Sequence, residues 1–421
     1  MRILFITTFY PPYVVGGWEQ NIEETNAALQ ARSHVTHVLT SLHGVQGPSR
    51  EKGVDRLLTL EADLAHYQPL SLMTYRRRLN RNLQVTRKVI ERFNPDVVYV
   101  NIMWNLTRGI PALAEKLCPG RVAYFMSDHW PCVPDPHEEY WQQKAARPIR
   151  DVFKRLLSPV ALRWVRRLNR DFQLEFRRVL CVSHAIRNEM IERARLHPDN
   201  LHVVYNGVDI DRFYRECSTA RVPQDRLALL FAGSLVWHKG VHTAVEAMHI
   251  LKQSGKLTGV HLTIVGSGHP DYERRLREMV KEYALDAAIE FRPRMNRDDI
   301  PDLLPKFHAL IFPSTWEEPL ARMTQEAMVS GLVVIATATG GTGEIVIAGE
   351  TGLTFPAGDA EALAAQIQRL HGNPGLYLKL ARQGQALIVE KCDLRRMNAE
   401  IEAHLKEFVT VPTGGSVAAV S

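Results

Sequence analysis

Short, wholly apolar runs recur along this chain, and each is followed by a stretch in which apolar residues return every three or four positions. The run from Leu227 to Ala232 and the helical pattern after it illustrate the unit. Apolar runs without alternation suit strands buried on both faces, and the intervening pattern suits helices that cover those faces. The sequence therefore reads as parallel sheets wrapped by helices, an α/β fold. In the first half, strands are expected near 2–8, 34–40, 96–101, 121–127, 178–183 and 201–205. Helices are expected near 18–31, 75–93, 107–117, 147–176 and 184–195. A polar stretch over 207–226, with Pro223, reads as a connector. The alternation then restarts. Strands are expected at 227–233, 261–266, 289–291, 309–312 and 332–336, and helices at 239–253, 270–284, 298–304, 319–330 and 359–370. The 421 residues exceed what one ordinary core holds. Two doubly wound Rossmann-like domains, 1–206 and 207–393, are expected to face a central ligand cleft. Residues 411–421 are small and rich in Gly, Val and Ala, and read as a disordered tail.

Composition removes several classes. The five cysteines, at 118, 132, 181, 217 and 392, form no CxxC pair. Neither a disulfide framework nor a metal site is expected, and a reducing cytoplasm fits. No apolar run approaches the ~18 residues that span a bilayer. The opening Met1-Arg2-Ile3-Leu4-Phe5-Ile6 stops at Thr7, which suits a first strand better than a signal peptide. The net charge of +6 is concentrated locally: residues 144–178 hold eleven Lys/Arg against Asp151, Asp171 and Glu175, or 11 − 3 = +8. Phe153, Leu156, Leu157, Val160, Leu162, Trp164, Val165 and Leu168 interleave with that charge. Two readings stay open, a solvated helix face on the core and a peripheral docking surface for anionic membrane. Nucleic acid is not expected, because no aromatic-rich binding motif accompanies the charge.

Glycine turns mark the candidate chemistry. Gly16-Gly17 lies between a strand and a helix, where backbone can approach an anion closely. Phe231-Ala232-Gly233-Ser234 ends a strand, and Lys239-Gly240 follows shortly after. A lysine at such a junction can act as a point charge on diphosphate oxygens. Gly266, in Val265-Gly266-Ser267-Gly268, points to the same sheet edge. In Glu317-Glu318-Pro319-Leu320-Ala321-Arg322-Met323-Thr324-Gln325-Glu326, Pro319 suits a first helical turn. Glu318 would then sit at the helix entrance and Glu326, eight residues on, about two turns along it, roughly 12 Å away. Both could accept hydroxyl hydrogen bonds from one elongated ligand. Thr339-Gly340-Gly341-Thr342-Gly343-Glu344 is a further anion-friendly turn.

Taken together these elements resemble family 4 glycosyltransferases, the large retaining group with the GT-B fold. The resemblance covers nearly the whole chain. It rests on Gly16-Gly17, Ser183, Asn206-Gly207-Val208-Asp209 through Phe213, Gly233 with Lys239-Gly240, Glu318 with Glu326, and Gly340-Gly341 with Glu344. It implies a hexosyl transfer from a nucleotide-diphosphate sugar, with no cofactor and no obligatory metal. It assigns Lys239 to the donor diphosphate, Glu318 to the donor sugar and Glu326 to the ribose. It further assigns the backbone amides of Arg322 and Met323 to sugar or phosphate, and the surroundings of Arg294 to the base. It also implies that a C-terminal helix, 394–410, packs back on the first domain. The acceptor would be a glycan or a lipid-linked sugar, as in envelope polysaccharide synthesis.

The sequence departs from that pattern at four places. Ser234 stands where the family often has arginine, Ala321 where it usually has glycine, and Phe291-Arg292-Pro293-Arg294 lacks a glycine. Ser127-Asp128-His129-Trp130 replaces the family's His-Asp-x-Trp. Asp128 keeps its place as a catalytic candidate and His129 is displaced by two positions. Asp209-Ile210-Asp211 has the form of a DxD metal motif, but lies inside the Asn-Gly-Val-Asp segment and reads as coincidence. A nucleotide-sugar epimerase of the same fold and a non-catalytic sugar-nucleotide-binding subunit are the alternatives. A dehydrogenase is weakest, since no GxGxxG follows the first strand.

Overall fold

A computed structural model describes residues 1–14, 16–64, 67–144, 148–219 and 222–410. The expected tail at 411–421, Arg147 at the start of the expected helix 147–176, and 220–221 within the connector lie outside the described residues. The chain divides into two compact units. Met1–Val182, Ile186–Val204 and the chain from Asn398 form the first, and Ser183–Ala185 with Tyr205–Met397 the second.

The first unit holds eight strands: β1 (Arg2–Ile6), β2 (Val35–Ser41), β3 (Ser49–Glu51), β4 (Val54–Leu58), β5 (Val97–Val100), β6 (Val122–Met126), β7 (Val179–Cys181) and β8 (Leu201–Val203). Their order across the sheet is β3-β4-β2-β1-β5-β6-β7-β8. All neighbours are parallel except β3 and β4. The second unit holds β9 (Leu227–Ala232), β10 (Val260–Val265), β11 (Ile289–Arg292), β12 (Ala309–Phe312), β13 (Val333–Thr337) and β14 (Leu353–Phe355). Their order is β11-β10-β9-β12-β13-β14, all parallel. Every residue of β5, β6, β9, β12 and β13 is buried. That is why these strands read as unbroken apolar runs.

Strand order reverses direction between β1 and β5 in one sheet, and between β9 and β12 in the other. Connections leaving the two flanking strands diverge at such a point, and a crevice opens over their carboxyl ends. Gly16-Gly17 follows β1. Lys239 follows β9, and Glu318 follows β12.

Several boundaries differ from expectation. The helix expected at 75–93 begins at Ser71, and the helix expected at 147–176 ends at Asn169. The helix expected at 319–330 is shorter, Arg322–Val329. Pro319 and Glu318 therefore precede it on a loop. The helix expected from 239 starts at Val241, after a 3-10 turn at Trp237–Lys239. The connector contains a helical turn, Ile210–Phe213. The hairpin β3–β4, the edge strand β14 and the helices Pro136–Gln142 and Pro374–Lys391 were not anticipated.

The C-terminal helix, Leu394–Thr410, gives its first four residues to the second unit and the rest to the first. Within the first unit Glu402 accepts from Arg32 at 2.7 Å and lies 2.9 Å from His34 Nε2.

Gly240 is the tightest backbone contact behind Lys239. Its φ is +65°, and a Cβ placed there would meet the Pro313 carbonyl oxygen at 2.0 Å. Gly240→Ala should lower stability by about 2–4 kcal/mol. Gly372, at φ −83° with no contact nearer than 3.5 Å, is the control. Gly372→Ala should stay within about 0.5 kcal/mol in urea unfolding, and equal losses from the two would refute the close-approach argument.

Candidate active site

The second unit gathers its candidate residues on the loops at the carboxyl ends of β9 to β12. The loops after β9 and β10 are zipped together by Gly233 N–H to Val265 O and Leu235 N–H to Ser267 O, each 3.1 Å. Gly266 N–H likewise donates to Arg292 O at 3.1 Å. The amides of Gly233 and Gly266 are thus spent on neighbouring carbonyls. These glycines shape the turns, and the positive charge comes from elsewhere. Ser234 is exposed beside them and brings no charge.

Lys239 supplies that charge. Its Nζ donates to Glu318 Oε1 at 2.5 Å, and Ser314 Oγ donates to the same oxygen at 2.7 Å. Glu318 is buried, while the Lys239 side chain keeps 24% of its surface. The pair brings the β9 and β12 connections together at the crossover. Thr315 N–H reinforces it by donating to His238 O at 2.8 Å. The loop carrying Glu318 is held from behind by Gly341 N–H, which donates to Glu318 O at 2.8 Å. An ammonium offers three protons, so two remain for other acceptors.

The helix Arg322–Val329 follows, with Ala321 as an N-cap that makes no side-chain cap hydrogen bond. Arg322 and Met323 occupy the first helical positions, whose N–H groups have no acceptor within the helix. Glu326 is fully buried, and its charge is answered by two guanidiniums. Arg322 Nε donates to Oε1 at 2.9 Å, and Arg297 donates to Oε2 at 2.5 Å and also to Oε1. Arg297 lies 29 residues from Glu326, and no local sequence signal marks it. Arg294 is exposed on the loop after β11.

Other motif residues turn out to hold structure. Glu344 accepts from the N–H groups of His184 at 3.0 Å and Ala185 at 2.8 Å, and from the Tyr205 hydroxyl at 2.8 Å, all within the second unit. Its turn is filled by the protein's own carboxylate. A Cβ on Gly207 would meet Leu394 Cα at 2.4 Å. Asp209 caps the turn Ile210–Phe213 by accepting from Arg212 N–H at 3.2 Å, and Asp211 pairs with Arg395. Both aspartates of the DxD-like triplet are therefore engaged in structural contacts.

In the first unit, Gly16 N–H donates to both Glu19 oxygens at 3.1 Å, and Gly17 caps the helix Trp18–Ala31. Asp128 and His129 follow β6. Burial pushes Asp128 up to about 6, against the Trp130 N–H at 3.4 Å and the neighbouring His129. His129 is buried, and its Nδ1 bonds Glu189 on the helix His184–Glu192. Burial works to raise Glu189, but His129 and Arg193 outweigh it and hold the carboxyl below its ordinary range.

Residues 15–212 match the family described as Glycosyltransferase Family 4, and residues 218–387 match Glycosyl transferases group 1. The chain is 24% identical over 407 residues to glycogen synthase of Mycobacterium tuberculosis, covering 93% of this chain and 91% of that protein. It is 32% identical over 177 residues to a putative colanic acid biosynthesis glycosyltransferase, WcaL, of Salmonella typhimurium, or 40% of this chain and 42% of that one. Sucrose-phosphate synthase from Thermosynechococcus elongatus superposes with a TM-score of 0.70 at 19% identity, over 97% of this chain and 99% of the other. Anabaena HepE in complex with UDP and glucose superposes with a TM-score of 0.67 at 21% identity, over 96% and 99%. With both units accounted for by these two families, the chain belongs to the group 1 and family 4 glycosyltransferases and is a sugar-transferring enzyme of the GT-B fold.

Proposed function

We propose that this enzyme takes a hexose from a nucleotide-diphosphate sugar held on the second unit and transfers it, with retention of configuration, to a glycan or lipid-linked acceptor at a cytoplasmic membrane face. The observation that carries the reading is the Lys239–Glu318 pair at the crossover of the second sheet, beside the start of the helix Arg322–Val329. As the sugar leaves, negative charge grows on the diphosphate and positive charge on the anomeric centre. Lys239 and the helix start face the first, and Glu318 accepts hydroxyls beside the second. Arg297, Arg322 and Glu326 sum to one positive charge, which replaces the arginine that Ser234 lacks. In this reading Glu326 positions two arginines and meets ribose only through a hydroxyl that displaces one of them. Arg294 flanks the base, and the chemistry runs without a cofactor or catalytic metal. HepE, with UDP and glucose bound, supports a nucleotide-sugar donor.

The membrane part rests on the helix Pro148–Asn169. Lys154, Ala161 and Val165 form its buried side, with Lys154 Nζ 3.9 Å from the Tyr140 ring centroid. Leu156, Leu157 and Val160 are exposed, by 71% for Leu156 and Val160. Arg155, Arg163, Arg166 and Arg167 are exposed on the same helix. A helix that only covered the core would turn its leucines inward. Exposed leucines among arginines suit an anionic lipid surface. The helix Ser71–Phe93 in the same unit repeats the pattern with exposed Met73, Arg76, Arg77 and Arg81. Among the described residues no helix is long and apolar enough to cross a membrane.

Three outcomes follow. A screen of UDP-, GDP- and ADP-sugars by nucleotide release should find one active donor class, and Lys239→Ala should slow that release by about 100–1,000-fold. A folded variant with unchanged turnover would contradict the site. Vesicles containing phosphatidylserine should sediment the protein at low salt, less so at high salt. Leu156→Glu with Val160→Glu should weaken binding at least ~10-fold; equal binding to phosphatidylcholine alone removes the electrostatic half of the reading. Asp128 gives a pH test. Its folded value of about 6 lies above its ordinary 3.8. Its stabilising contribution is therefore full below about pH 4 and lost as pH rises through about 6. Asp128→Asn should gain about 1–2 kcal/mol at pH 8 and nothing at pH 4, measured by denaturant midpoints. A gain independent of pH would show that ionisation is not its cause.

A further inference from the structure

The first unit buries a second cluster of ionisable groups that the transfer reaction does not use. Glu61 follows β4, and Asp135 and His137 lie at the start of the helix Pro136–Gln142. One ligand atom from each of the three lies within 4.8 Å of the other two. Glu61 is 1% exposed and His137 is 0% exposed. Neither carboxylate oxygen of Glu61 has a hydrogen-bond partner, and neither does Nε2 of His137.

We propose that Glu61, Asp135 and His137 form a buried site for one divalent transition-metal ion, of the zinc or manganese class, which pins the loop after β4 to the helix Pro136–Gln142.

The surrounding contacts orient each group as a ligand. The Tyr67 hydroxyl oxygen lies 2.6 Å from His137 Nδ1, and in the tautomer whose Nδ1–H donates to it the lone pair sits on Nε2. A metal-bound imidazole characteristically anchors its other nitrogen in this way. Asp135 Oδ1 accepts from the N–H groups of His137 at 2.7 Å and Glu138 at 3.3 Å, which fixes the carboxylate at the helix start. The backbone N–H of Glu61 donates to Asn105 O at 3.0 Å, so its loop is fixed too. Tyr67 and Tyr75 wall the imidazole, with ring centroids 5.4 and 4.5 Å away.

The charge argument leads to the same cation. Two carboxylates in a buried pocket need positive charge. Burial and the neighbouring Asp135 raise Glu61 well above the ordinary carboxylate range, and Arg78, whose Nη1 donates to Leu60 O at 3.2 Å, offsets only part of this. A proton shared between Glu61 and Asp135 would supply the rest, but would leave Nε2 of His137 unsatisfied. A metal ion engages both carboxylates and that nitrogen together. Bonds of about 2.0–2.2 Å set ligand atoms roughly 3–4 Å apart, so a small closing motion of the side chains completes the site. A mixed nitrogen and oxygen set favours zinc or manganese over magnesium or calcium, which prefer oxygen alone. Water can fill further positions. The ion would lie wholly within the first unit, whereas the diphosphate cradle is built from the second.

The test uses the full-length chain, stripped with chelator, dialysed, and reloaded with Zn2+ or Mn2+, with Mg2+ and Ca2+ as controls. Elemental analysis should find about one equivalent per chain, and the melting temperature should rise by about 3 °C or more. Glu61→Gln and His137→Gln should each weaken metal binding by at least ~10-fold and abolish the shift. Wild-type protein that retains no metal after desalting overturns the proposal and leaves the shared proton in its place. Equal metal content in wild type and both variants also overturns it, because the ion is then elsewhere. Should neither variant fold, Co2+ loading of wild type decides. A visible d–d band that saturates near one equivalent supports the site, and its absence refutes it.

Discussion

The second unit depends on how closely two loops approach at the crossover of its sheet. The connection after β9 carries Lys239, and the one after β12 carries Ser314 and Glu318. They touch because Gly240 has no side chain where the Pro313 carbonyl sits. An isolated, partly buried ammonium would be costly, as would an isolated buried carboxylate. Each removes the other's penalty, and the hydroxyl of Ser314 takes up the same oxygen. The result is a lysine with a fixed position and two uncommitted protons. A flexible surface lysine would have to be ordered when a phosphate arrived, whereas this one is already in place.

A similar arrangement runs deeper into the unit. Glu326 is completely buried, and alone it would be among the least favourable groups in the protein. Two arginines, one four residues earlier and one 29 residues earlier, turn it into an anchor for two guanidiniums. Read as sequence, Glu318 and Glu326 look like two acids on one helix. The fold separates them by a loop, because the helix begins only at Arg322. One acid stays near the surface as a partner for lysine, and the other is drawn inside. Spacing was the right signal that both matter. It could not tell which charges would answer them.

What could be read in the chain follows the range of the interaction. Fully buried parallel strands announce themselves through local composition, so β5, β6, β9, β12 and β13 were legible. The edge hairpin β3–β4 was not. Its turn carries exposed Arg50, Glu51 and Lys52, the charged character expected where a sheet meets solvent, while Asp55 and Arg56 put buried charge inside β4 and break the apolar run. The helix Pro374–Lys391 holds Gly375 and Gly384, which lower helix propensity. Gly384 is there because Thr351 O lies 2.8 Å from where its Cβ would be. Yet Asn373-Pro374 and Asp135-Pro136 are both capping residues followed by proline, and both do cap helices. That start signal was present in the sequence and would have located both missed helices.

The candidate polar clusters of the two units are paired differently. In the second, Lys239 and Glu318, and Glu326 with its arginines, are paired acid to base. Such pairs hold their charge, and charge is what the departing diphosphate of the proposed reaction would require. In the first, Glu61 and His137 retain atoms without partners, while His129 is tied to Glu189 and Asp128 is pushed toward protonation. A histidine locked to a buried glutamate keeps its orientation but has one nitrogen fewer with which to accept a proton. An aspartate whose value is raised to about 6 loses its charge, and its strength as a counter-charge, only as the pH falls through about 6. Neither observation removes these two residues from the reaction. In the proposed reaction, stabilising charge falls to the paired groups around Lys239.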